Sequence, residues 1–398
     1  MLLVQFRLKN VLSFKEETVF DMTAINAYKE HPCNLIDEDA KEKYLRVASI
    51  YGANASGKSN LIYAMRYFQK IIMQSMNNVD DGSDTALRKY YVPFLFEEHY
   101  DNSEFEMVVV VDEYEYRYGF EYNAECIVME WLYRKNSKTN RTVTIFERTA
   151  ETIQLGASVR KECDVYKNQI PSETLVLTFF NKLRLKTDVF RIVFSGIMAN
   201  NVALSSFEIN EDLLDDFLPK LIQYEKDQLI EFLAAIDTGI KDIRIDDSDK
   251  KISFETIHRG RDGRDYSLYL YGESEGTIRS IMLYIYARAA ISCDGTLIFD
   301  ELNIKLHPLL LKFIIDLFYH SNSSAQLIYT THDTTLMDKR FFRRDQIWFV
   351  QKDEYGFSEL SALSDFKVRS DASFEKDYLA GVYGGIPSLK EFEMGEGE

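Results

Sequence analysis

VASIYGANASGKSN occupies residues 47–60 and joins an apolar run to a glycine-containing turn. The residues from Gly52 to Ser59 satisfy the pattern GxxxxGK[ST], which is typical of a loop that binds phosphate. Val47–Ile50 predicts a short buried strand before the loop. A stripe of apolar residues at helical spacing follows the loop, at Leu61, Met65, Phe68 and Ile72. The order of strand, loop and helix predicts an α/β domain.

Each residue type in this loop has a physical role in binding a phosphate group. Glycine lets backbone N–H groups turn toward a phosphate without a Cβ in the way, and the N-terminus of the following helix adds positive potential. Lys58 would bring a positive charge next to the β- and γ-phosphates of a nucleotide, and the Ser59 hydroxyl would bind Mg²⁺. The predicted nucleotide-binding residues of this stretch are Asn54, Ala55, Ser56, Gly57, Lys58, Ser59 and Asn60.

A pair of acidic residues lies more than two hundred residues downstream. Thr296–Phe299 predicts a buried strand that ends at Asp300 and Glu301. Asp300 is predicted to hold the water shell of Mg²⁺, and Glu301 to orient and deprotonate an attacking water. By itself, such a pair is common at strand ends, so its meaning depends on the other elements.

Two further elements flank that strand. Ser274 and Gly276 form a Ser-x-Gly sequence before a predicted helix, where an anion can bind, although such a serine is more often only an N-cap. Gln326–Thr331 predicts a strand that ends at His332, and a lone histidine at a strand end is usually structural. The four elements occur in the order phosphate loop, Ser-x-Gly helix, Asp-Glu strand and strand ending in histidine.

The composition is that of a globular protein with an acidic surface. The chain has 398 residues, of which 46% are apolar, and 47 Lys+Arg oppose 64 Asp+Glu for a net charge of −17. This charge repels nucleic acid in general, so binding of DNA or RNA would need a local basic patch or a partner. Four separated cysteines fit a reducing cytoplasm. No signal peptide and no membrane span are predicted.

The chain divides into three predicted parts. Residues 1–155 are strand-rich, with an antiparallel meander after the phosphate loop, and residues 156–240 are predicted to form a mostly helical insertion or arm. Residues 241–398 return to short strands alternating with helices. Within the meander, the aromatic residues of Tyr114–Tyr122 repeat every second position and share one face. That face either packs on the core or stacks on nucleic-acid bases.

The ordered set resembles the motifs of ABC ATPases: Walker A, signature, Walker B and H-loop, with a D-loop in residues 303–307. Within that superfamily the chain resembles the RecF/SMC-like branch, and there the OLD-like and RloA-like ATP-binding proteins linked to phage defence. The stretches that carry this resemblance are LKNVLSF at 8–14, GANASGKSN at 52–60, DEL with LHP at 300–302 and 306–308, and YLAGVYGGIP at 378–387.

The resemblance implies an ABC-ATPase head with a P-loop NTPase fold, an antiparallel β lobe and a helical insertion. It implies ATP and Mg²⁺ as ligands, and Glu301, His332 and Lys58 as catalytic residues. It also places Asn10 and Ser13 on the adenine side, where a merely structural turn is the alternative. Departures include Ser-Glu-Gly-Thr at the signature, Lys305 in the D-loop and Val382 in the tail, and no Q-loop glutamine is identified.

The resemblance further implies a homodimer, or a higher homo-oligomer of dimers, that closes around ATP and controls a separate effector such as a nuclease or toxin. Only 66 residues follow His332, so no nuclease domain is expected in this chain. The alternatives are a RecF-like ATPase of DNA repair or chromosomes, a nucleotide-locked scaffold that hydrolyses ATP slowly, and a P-loop kinase. A kinase would require neither the Ser-x-Gly helix nor His332.

Overall fold

The computed structural model describes residues 1–37, 39–76, 85–99, 101–203, 210–246, 253–304, 306–369 and 372–386. Two residues singled out in the sequence, Lys305 and Pro387, lie outside these ranges. The strands are β1 Leu2–Lys9, β2 Thr18–Asp21, β3 Leu35–Ile36, β4 Tyr44–Leu45, β5 Val47–Tyr51, β6 Ser103–Val111, β7 Tyr114–Tyr122, β8 Ile127–Asn136, β9 Thr142–Thr149, β10 Ile153–Leu155, β11 Asn200–Ala203, β12 Ile240–Asp246, β13 Ser253–Arg259, β14 Asp265–Tyr269, β15 Thr296–Phe299, β16 Gln326–Thr330, β17 Ile347–Lys352 and β18 Ser358–Ala362.

The helices lie mostly between the sheets or on their outer faces. They are α1 Lys58–Gln74, α2 Ala86–Tyr90, α3 Ala157–Cys163, α4 Val176–Lys182, α5 Val189–Met198, α6 Glu211–Tyr224, α7 Lys226–Ala235, α8 Glu275–Ser292, α9 Pro308–Tyr319 and α10 Phe374–Leu379. Among the described helices, none combines the length and the apolar character that a bilayer span requires.

The central sheet has the strand order β11-β15-β16-β5-β17-β18 and is parallel except for its last strand, β18. Its middle strand, β5, is buried along its whole length, as a strand covered on both faces must be. Alternate residues of β5 enter two different cores: Ala48 and Ile50 one, Val47 and Tyr51 the other. The predicted strand is confirmed and extends one residue further, to Tyr51.

An antiparallel sheet with the order β10-β9-β8-β7-β6-β1-β2 lies over one face of the central sheet, with α1 between them. The aromatic face of β7 packs inward, and the ring of Phe120 stacks on that of Phe68 in α1 at 5.5 Å between centroids. The core interpretation of the aromatic stripe is confirmed, because Tyr116, Tyr118 and Tyr122 are also buried and cannot stack on bases.

The other face of the central sheet carries the second core, to which α6, α7, α8 and α9 contribute. A three-stranded antiparallel sheet, β12-β13-β14, extends from this side. Phe217 of α6 lies on the exposed side of that helix. The result is a layered arrangement in which the phosphate loop follows the middle strand of the middle layer.

Residues 156–240 contain five α-helices in the described chain, and they also supply strand β11 to the central sheet. β11 pairs in parallel with β15, from Asn200 opposite Thr296 to Ala203 opposite Phe299. Part of this range therefore belongs to the sheet that carries the phosphate loop. The domain division at residues 155 and 240 stays a prediction.

A buried carboxylate ties the antiparallel sheet to α4. Glu130 of β8 is almost fully buried and accepts hydrogen bonds from the backbone N–H groups of Val176 and Leu177 and from the Tyr118 hydroxyl. These bonds satisfy two of the N–H groups that a helix N-terminus leaves without intrahelical partners. The buried guanidinium of Arg148 lies 3.8 Å away. Burial raises the pKa of Glu130, against the opposing effect of Arg148 and the backbone donors.

Glu130→Ala should lower the free energy of unfolding by about 3–5 kcal/mol, because it removes the counter-charge of the buried Arg148 and leaves three buried donors without their acceptor. Urea denaturation measures this loss. The matched control is Glu147→Ala on the neighbouring strand β9, where the carboxylate is exposed and accepts from the Tyr133 hydroxyl. Equal stability losses in the two variants would contradict a structural role for Glu130.

Candidate functional site

The parallel order of the central sheet brings three loops to one edge. β5, β16 and β15 are adjacent and parallel, so their carboxyl ends lie side by side. The phosphate loop follows β5, Asp300 and Glu301 follow β15, and His332 comes two residues after β16. Elements separated by more than two hundred residues in the chain therefore meet at one site.

The phosphate loop is too tightly packed for side chains at its two glycines. A Cβ on Gly52 would lie 2.3 Å from the carbonyl oxygen of Val350, and one on Gly57 would lie 2.3 Å from Oγ of Ser358. Gly57 has a φ of +115°, which only glycine adopts readily. Asn54 and Ala55 form the exposed tip of the loop, with Ala55 in the left-handed region.

A buried hydroxyl in this loop has no hydrogen-bond partner. Oγ of Ser56 is inaccessible to solvent and makes no hydrogen bond, although buried polar atoms almost always have a partner. An orphaned donor inside a loop of this shape fits an anionic ligand that supplies acceptor oxygens. The residues present therefore fit a bound phosphate.

Lys58 is the first residue of α1 and is 5% exposed. Its Nζ donates to the carbonyl oxygens of Gly52 at 2.8 Å and Ala53 at 3.0 Å, so the amine folds back on the loop. Burial lowers the pKa of Lys58 to about 8, while the charges of Asp300 and Glu301 oppose that shift. The positive charge of this buried side chain is only partly balanced by two carbonyl oxygens and by carboxylates further away. Phosphate oxygens would balance that charge better.

Thr330 organises the acidic pair. Its Oγ1 donates to Oδ1 of Asp300 at 2.5 Å and accepts from the backbone N–H of Glu301 at 2.7 Å. The register between β15 and β16 pairs Phe299 with Tyr329, so Thr330 comes directly opposite Asp300. The role of Thr330 was not predicted from the sequence. The available signal was its place at the end of the neighbouring predicted strand, but strand order is not visible in sequence.

Glu301 has a left-handed backbone, with a φ of +53°, which costs about 1 kcal/mol or more for a residue with a side chain. Its Oε1 lies 3.7 Å from Nε2 of His332. Burial and the charge of Lys58 lower the pKa of His332, against the opposing effect of Glu301 and Asp300. A neutral imidazole N–H can donate a hydrogen bond to the carboxylate.

A chain of hydrogen bonds supports the loop from the side of β18. Nδ2 of Asn60 donates to Oγ of Ser13 at 2.8 Å, and Oγ of Ser13 lies 2.7 Å from Oγ of Ser358. Ser358 donates to the carbonyl oxygen of Ser56 at 2.6 Å, and it has only one hydroxyl proton, so Ser13 is the donor in the middle bond. Ser13 and Asn60 thus lie against the phosphate loop. Ser358, 302 residues from Ser56, was not found from sequence.

Asn10 lies in a different place. Its Nδ2 donates to the carbonyl oxygen of Asp101 at 2.6 Å and, at 3.3 Å, to that of Asn102. Its Oδ1 accepts from the N–H of Phe94. The residue is buried with a φ of +53°, and these bonds hold the turn after β1. These contacts give Asn10 a structural role in the turn.

A cavity of about 220 Å³ opens beside Ser13 and Asn60. Its apolar lining includes Leu12, Phe94 and the exposed ring of Phe96. The Phe94 ring is fixed by stacking on Phe357, at 4.5 Å between centroids. A pocket with two hydrogen-bonding side chains at its phosphate-loop end and aromatic walls can accommodate a planar base.

Ser274 is the N-cap of α8, and its Oγ accepts from the N–H of Thr277 at 3.1 Å. It is exposed, and its side chain contacts Thr277 only, among the hydrogen bonds of the described chain. α8 packs against β15, and residues 293–295 join the two elements.

Within the described residues, no group of three or more His, Cys, Asp or Glu side chains is arranged to hold a metal ion. Ser59, in the first turn of α1, and Asp300 are the predicted magnesium ligands. Mg²⁺ commonly takes one or two protein ligands and completes its shell with water and phosphate oxygens. This donor set fits a metal that binds together with a nucleotide.

Comparison with known proteins gives a family and two similar structures. The head domain in "Crystal structure of the SmcHead bound to the C-winged helix domain of ScpA" is 15% identical, with 94% of this chain and 99% of that chain covered and a TM-score of 0.45. The "SMC head domain from Thermotoga maritima" is 13% identical, with 92% and 100% covered and a TM-score of 0.42. No curated protein matches.

A family model described as "AAA domain, putative AbiEii toxin, Type IV TA system" matches residues 47–157 and 188–338. The matched ranges contain the phosphate loop, Ser274, the acidic pair and His332. They leave out most of α3 and all of α4, and they cover well over half of the 398 residues. The chain therefore belongs to the AAA-domain family of that description.

Proposed function

We propose that this protein is an ATPase in which two copies close around ATP and Mg²⁺ and control a separate effector. The observation that carries the ATPase part is the meeting of Lys58, the Asp300–Glu301 pair and His332 at the carboxyl ends of three adjacent parallel strands. A cation for phosphates, a carboxylate for a metal and a second carboxylate for a water are the groups that phosphoryl transfer requires.

Nucleotide binding exchanges the partners of Lys58. The amine leaves the carbonyl oxygens of Gly52 and Ala53 and contacts the β- and γ-phosphates. The buried Oγ of Ser56 gains an acceptor in the same step. The apolar cavity beside Ser13 and Asn60 takes the base. Ser13 then stays on the adenine side, as predicted, and Leu12 contacts the base in place of Asn10.

Hydrolysis uses the acidic pair in two roles. Ser59 and Asp300 would hold Mg²⁺, and the bound ion would neutralise charge on the phosphates. Glu301 accepts a proton from the water whose oxygen attacks the γ-phosphorus, and the bond to the β–γ bridging oxygen breaks to leave ADP. His332, 3.7 Å from Glu301, orients that carboxylate. Thr330 keeps Asp300 and the backbone of Glu301 in register.

A second copy completes the site. Ser274 is exposed, and so are the nearby aromatic rings of Tyr269 and Tyr271 on the same segment. Exposed aromatic groups beside a polar site are typical of surfaces that a partner covers. In a two-fold pair with one isologous interface, the N-terminus of α8 in one copy faces the γ-phosphate of the other.

Closure around ATP and release after hydrolysis make a two-state switch. An effector that prefers one state is then coupled to the nucleotide, and the proposed effector is a separate nuclease or toxin in antiviral defence or abortive infection. The family description, which names an AbiEii toxin and a type IV TA system, agrees with such a role. We place the protein in the cytoplasm, where ATP is available.

Lys58→Ala should raise the Kd for ATP by about tenfold to a hundredfold, the effect of losing a hydrogen bond to a charged group. Isothermal calorimetry measures it. The fold should remain, because burial already disfavours the charge that is removed. Lys89→Ala, at an exposed lysine of α2, is the control and should bind as the wild type does. Equal affinity in Lys58→Ala would remove the phosphate-loop assignment.

Glu301→Gln should lower turnover by about 10²–10⁴-fold while ATP still binds, because the amide keeps the shape of the carboxylate and cannot accept a proton. Phosphate release assays and calorimetry separate the two effects. Glu354→Gln, at an exposed position after β17, is the control. Wild-type turnover in Glu301→Gln would assign the base to another group.

Ser274→Asp should keep the N-cap of α8, since aspartate caps as well as serine, but should abolish hydrolysis by placing a negative charge against the partner's γ-phosphate. Random equal mixing with Glu301→Gln should restore about a quarter of wild-type activity, because half of the dimers are mixed and each has one intact site. Two inactive variants that stay inactive when mixed, after subunit exchange is verified, would rule out the shared site.

A further inference from the structure

The segment Phe374–Ile386, called here the tail segment, packs against the base of the phosphate loop. It starts with α10 and continues through three glycines in the left-handed region, Gly381, Gly384 and Gly385. Phe374, Tyr378 and Tyr383 are buried and belong to the core that covers one face of the central sheet. The segment is therefore part of the folded body and lies next to strands β5 and β17.

Two tyrosines of the tail segment stack on one phenylalanine. The rings of Tyr378 and Tyr383 lie 5.3 Å and 5.4 Å from that of Phe349, at interplanar angles of 14° and 19°. Phe349 of β17 is paired with Tyr51 of β5, the residue directly before Gly52. The ring of Tyr51 also lies 6.1 Å from that of Tyr378. This cluster fixes the tail segment to the strand end from which the phosphate loop starts.

The backbone of Gly385 meets the backbone of Gly52. A Cβ on Gly385 would lie 3.6 Å from Cα of Gly52 and 3.4 Å from the carbonyl oxygen of Val350, the atom that also excludes a side chain from Gly52. The Tyr378 hydroxyl donates to the carbonyl oxygen of Gly385 at 3.0 Å and so holds this turn in place. Gly52, Val350 and Gly385 form one backbone contact.

Gly52, one member of this contact, is also the residue whose carbonyl oxygen accepts a hydrogen bond from Lys58. Nζ of Lys58 donates to the oxygen of Gly52 at 2.8 Å. A loop whose N–H groups are already in position loses less entropy when phosphates bind. A displacement of Gly52 would change both the starting partner of Lys58 and the position of those N–H groups.

We propose that the tail segment positions the phosphate loop for nucleotide, with Tyr378 and Gly385 as positioning residues. The inference rests on the proposed binding of ATP by the loop. It makes the affinity for ATP depend on a contact between residues 333 positions apart, Gly52 and Gly385. A partner or modification that moves the tail segment would then change nucleotide affinity without touching the nucleotide.

The first test compares two tyrosines in the same cluster. Tyr378→Phe keeps the stack on Phe349 and removes the bond to Gly385, whereas Tyr383→Phe keeps the stack and removes a bond to the Asp377 carboxylate. Calorimetry should give a Kd for ATP about threefold to tenfold higher in Tyr378→Phe, the range for one lost hydrogen bond. Tyr383→Phe should bind ATP as the wild type does.

The second test compares two glycines with left-handed backbones. Alanine is strained at both Gly385, with a φ of +68°, and Gly381, with a φ of +80°. At Gly385 the new methyl group would lie 3.4 Å from the carbonyl oxygen of Val350 and 3.6 Å from Cα of Gly52, which are ordinary contact distances, so relief of the strained φ would move a turn that touches the phosphate loop. At Gly381 the methyl group would lie 3.1 Å from the side chain of Ile386. Both variants should lose similar thermal stability, and only Gly385→Ala should bind ATP more weakly.

The outcomes separate this inference from the proposed function. A wild-type protein that fails to bind ATP would remove the proposed function itself. Wild-type binding together with equal Kd values within both pairs would show that Tyr378 and Gly385 only stabilise the fold, and would overturn the inference. A difference in Kd within both pairs, at matched melting temperatures, would establish the positioning role.

Discussion

The fold depends on the placement of β5 in the middle of a parallel sheet with a core on each face. Its alternate side chains enter opposite cores, so a shift of one residue would exchange them. Because this register is held, the turn from Tyr51 into Gly52 has one position relative to β16 and β17. The phosphate loop inherits its geometry from that strand, and every other group of the site is placed relative to the loop.

The site combines a buried cation with two carboxylates. Burial lowers the pKa of the Lys58 amine. The chain as a whole has a net charge of −17. The carboxylates of Asp300 and Glu301 oppose that effect from the neighbouring strand end. A bound polyphosphate would add charge that favours the protonated amine and would repel the carboxylates unless a divalent cation lies between them. The arrangement therefore favours nucleotide and metal together over either one alone.

The site is supported from several directions by residues that touch no ligand. Ser358 bonds to the carbonyl of Ser56, Thr330 bonds to Asp300, and Gly385 lies against Gly52. Each support comes from a different strand or turn, and two of them, Ser358 and Gly385, contact the phosphate loop itself. At the exposed N-terminus of α8, the hydrogen bonds of the Ser274 side chain among the described residues all go to Thr277, in the same helix.

Sequence alone determined the local units of this protein. Glycine and Lys58 at fixed spacing, and acids directly after an apolar strand, predict a phosphate loop and a carboxylate pair because the chemistry lies within a few residues. Tertiary structure decided which distant residues meet. Asn10 and Ser13 are three positions apart, yet one holds a turn and the other contacts the loop. The places of Thr330 and Gly385 at the site could not be predicted from the sequence, because strand order and chain packing bring them there and neither can be read from spacing along the chain.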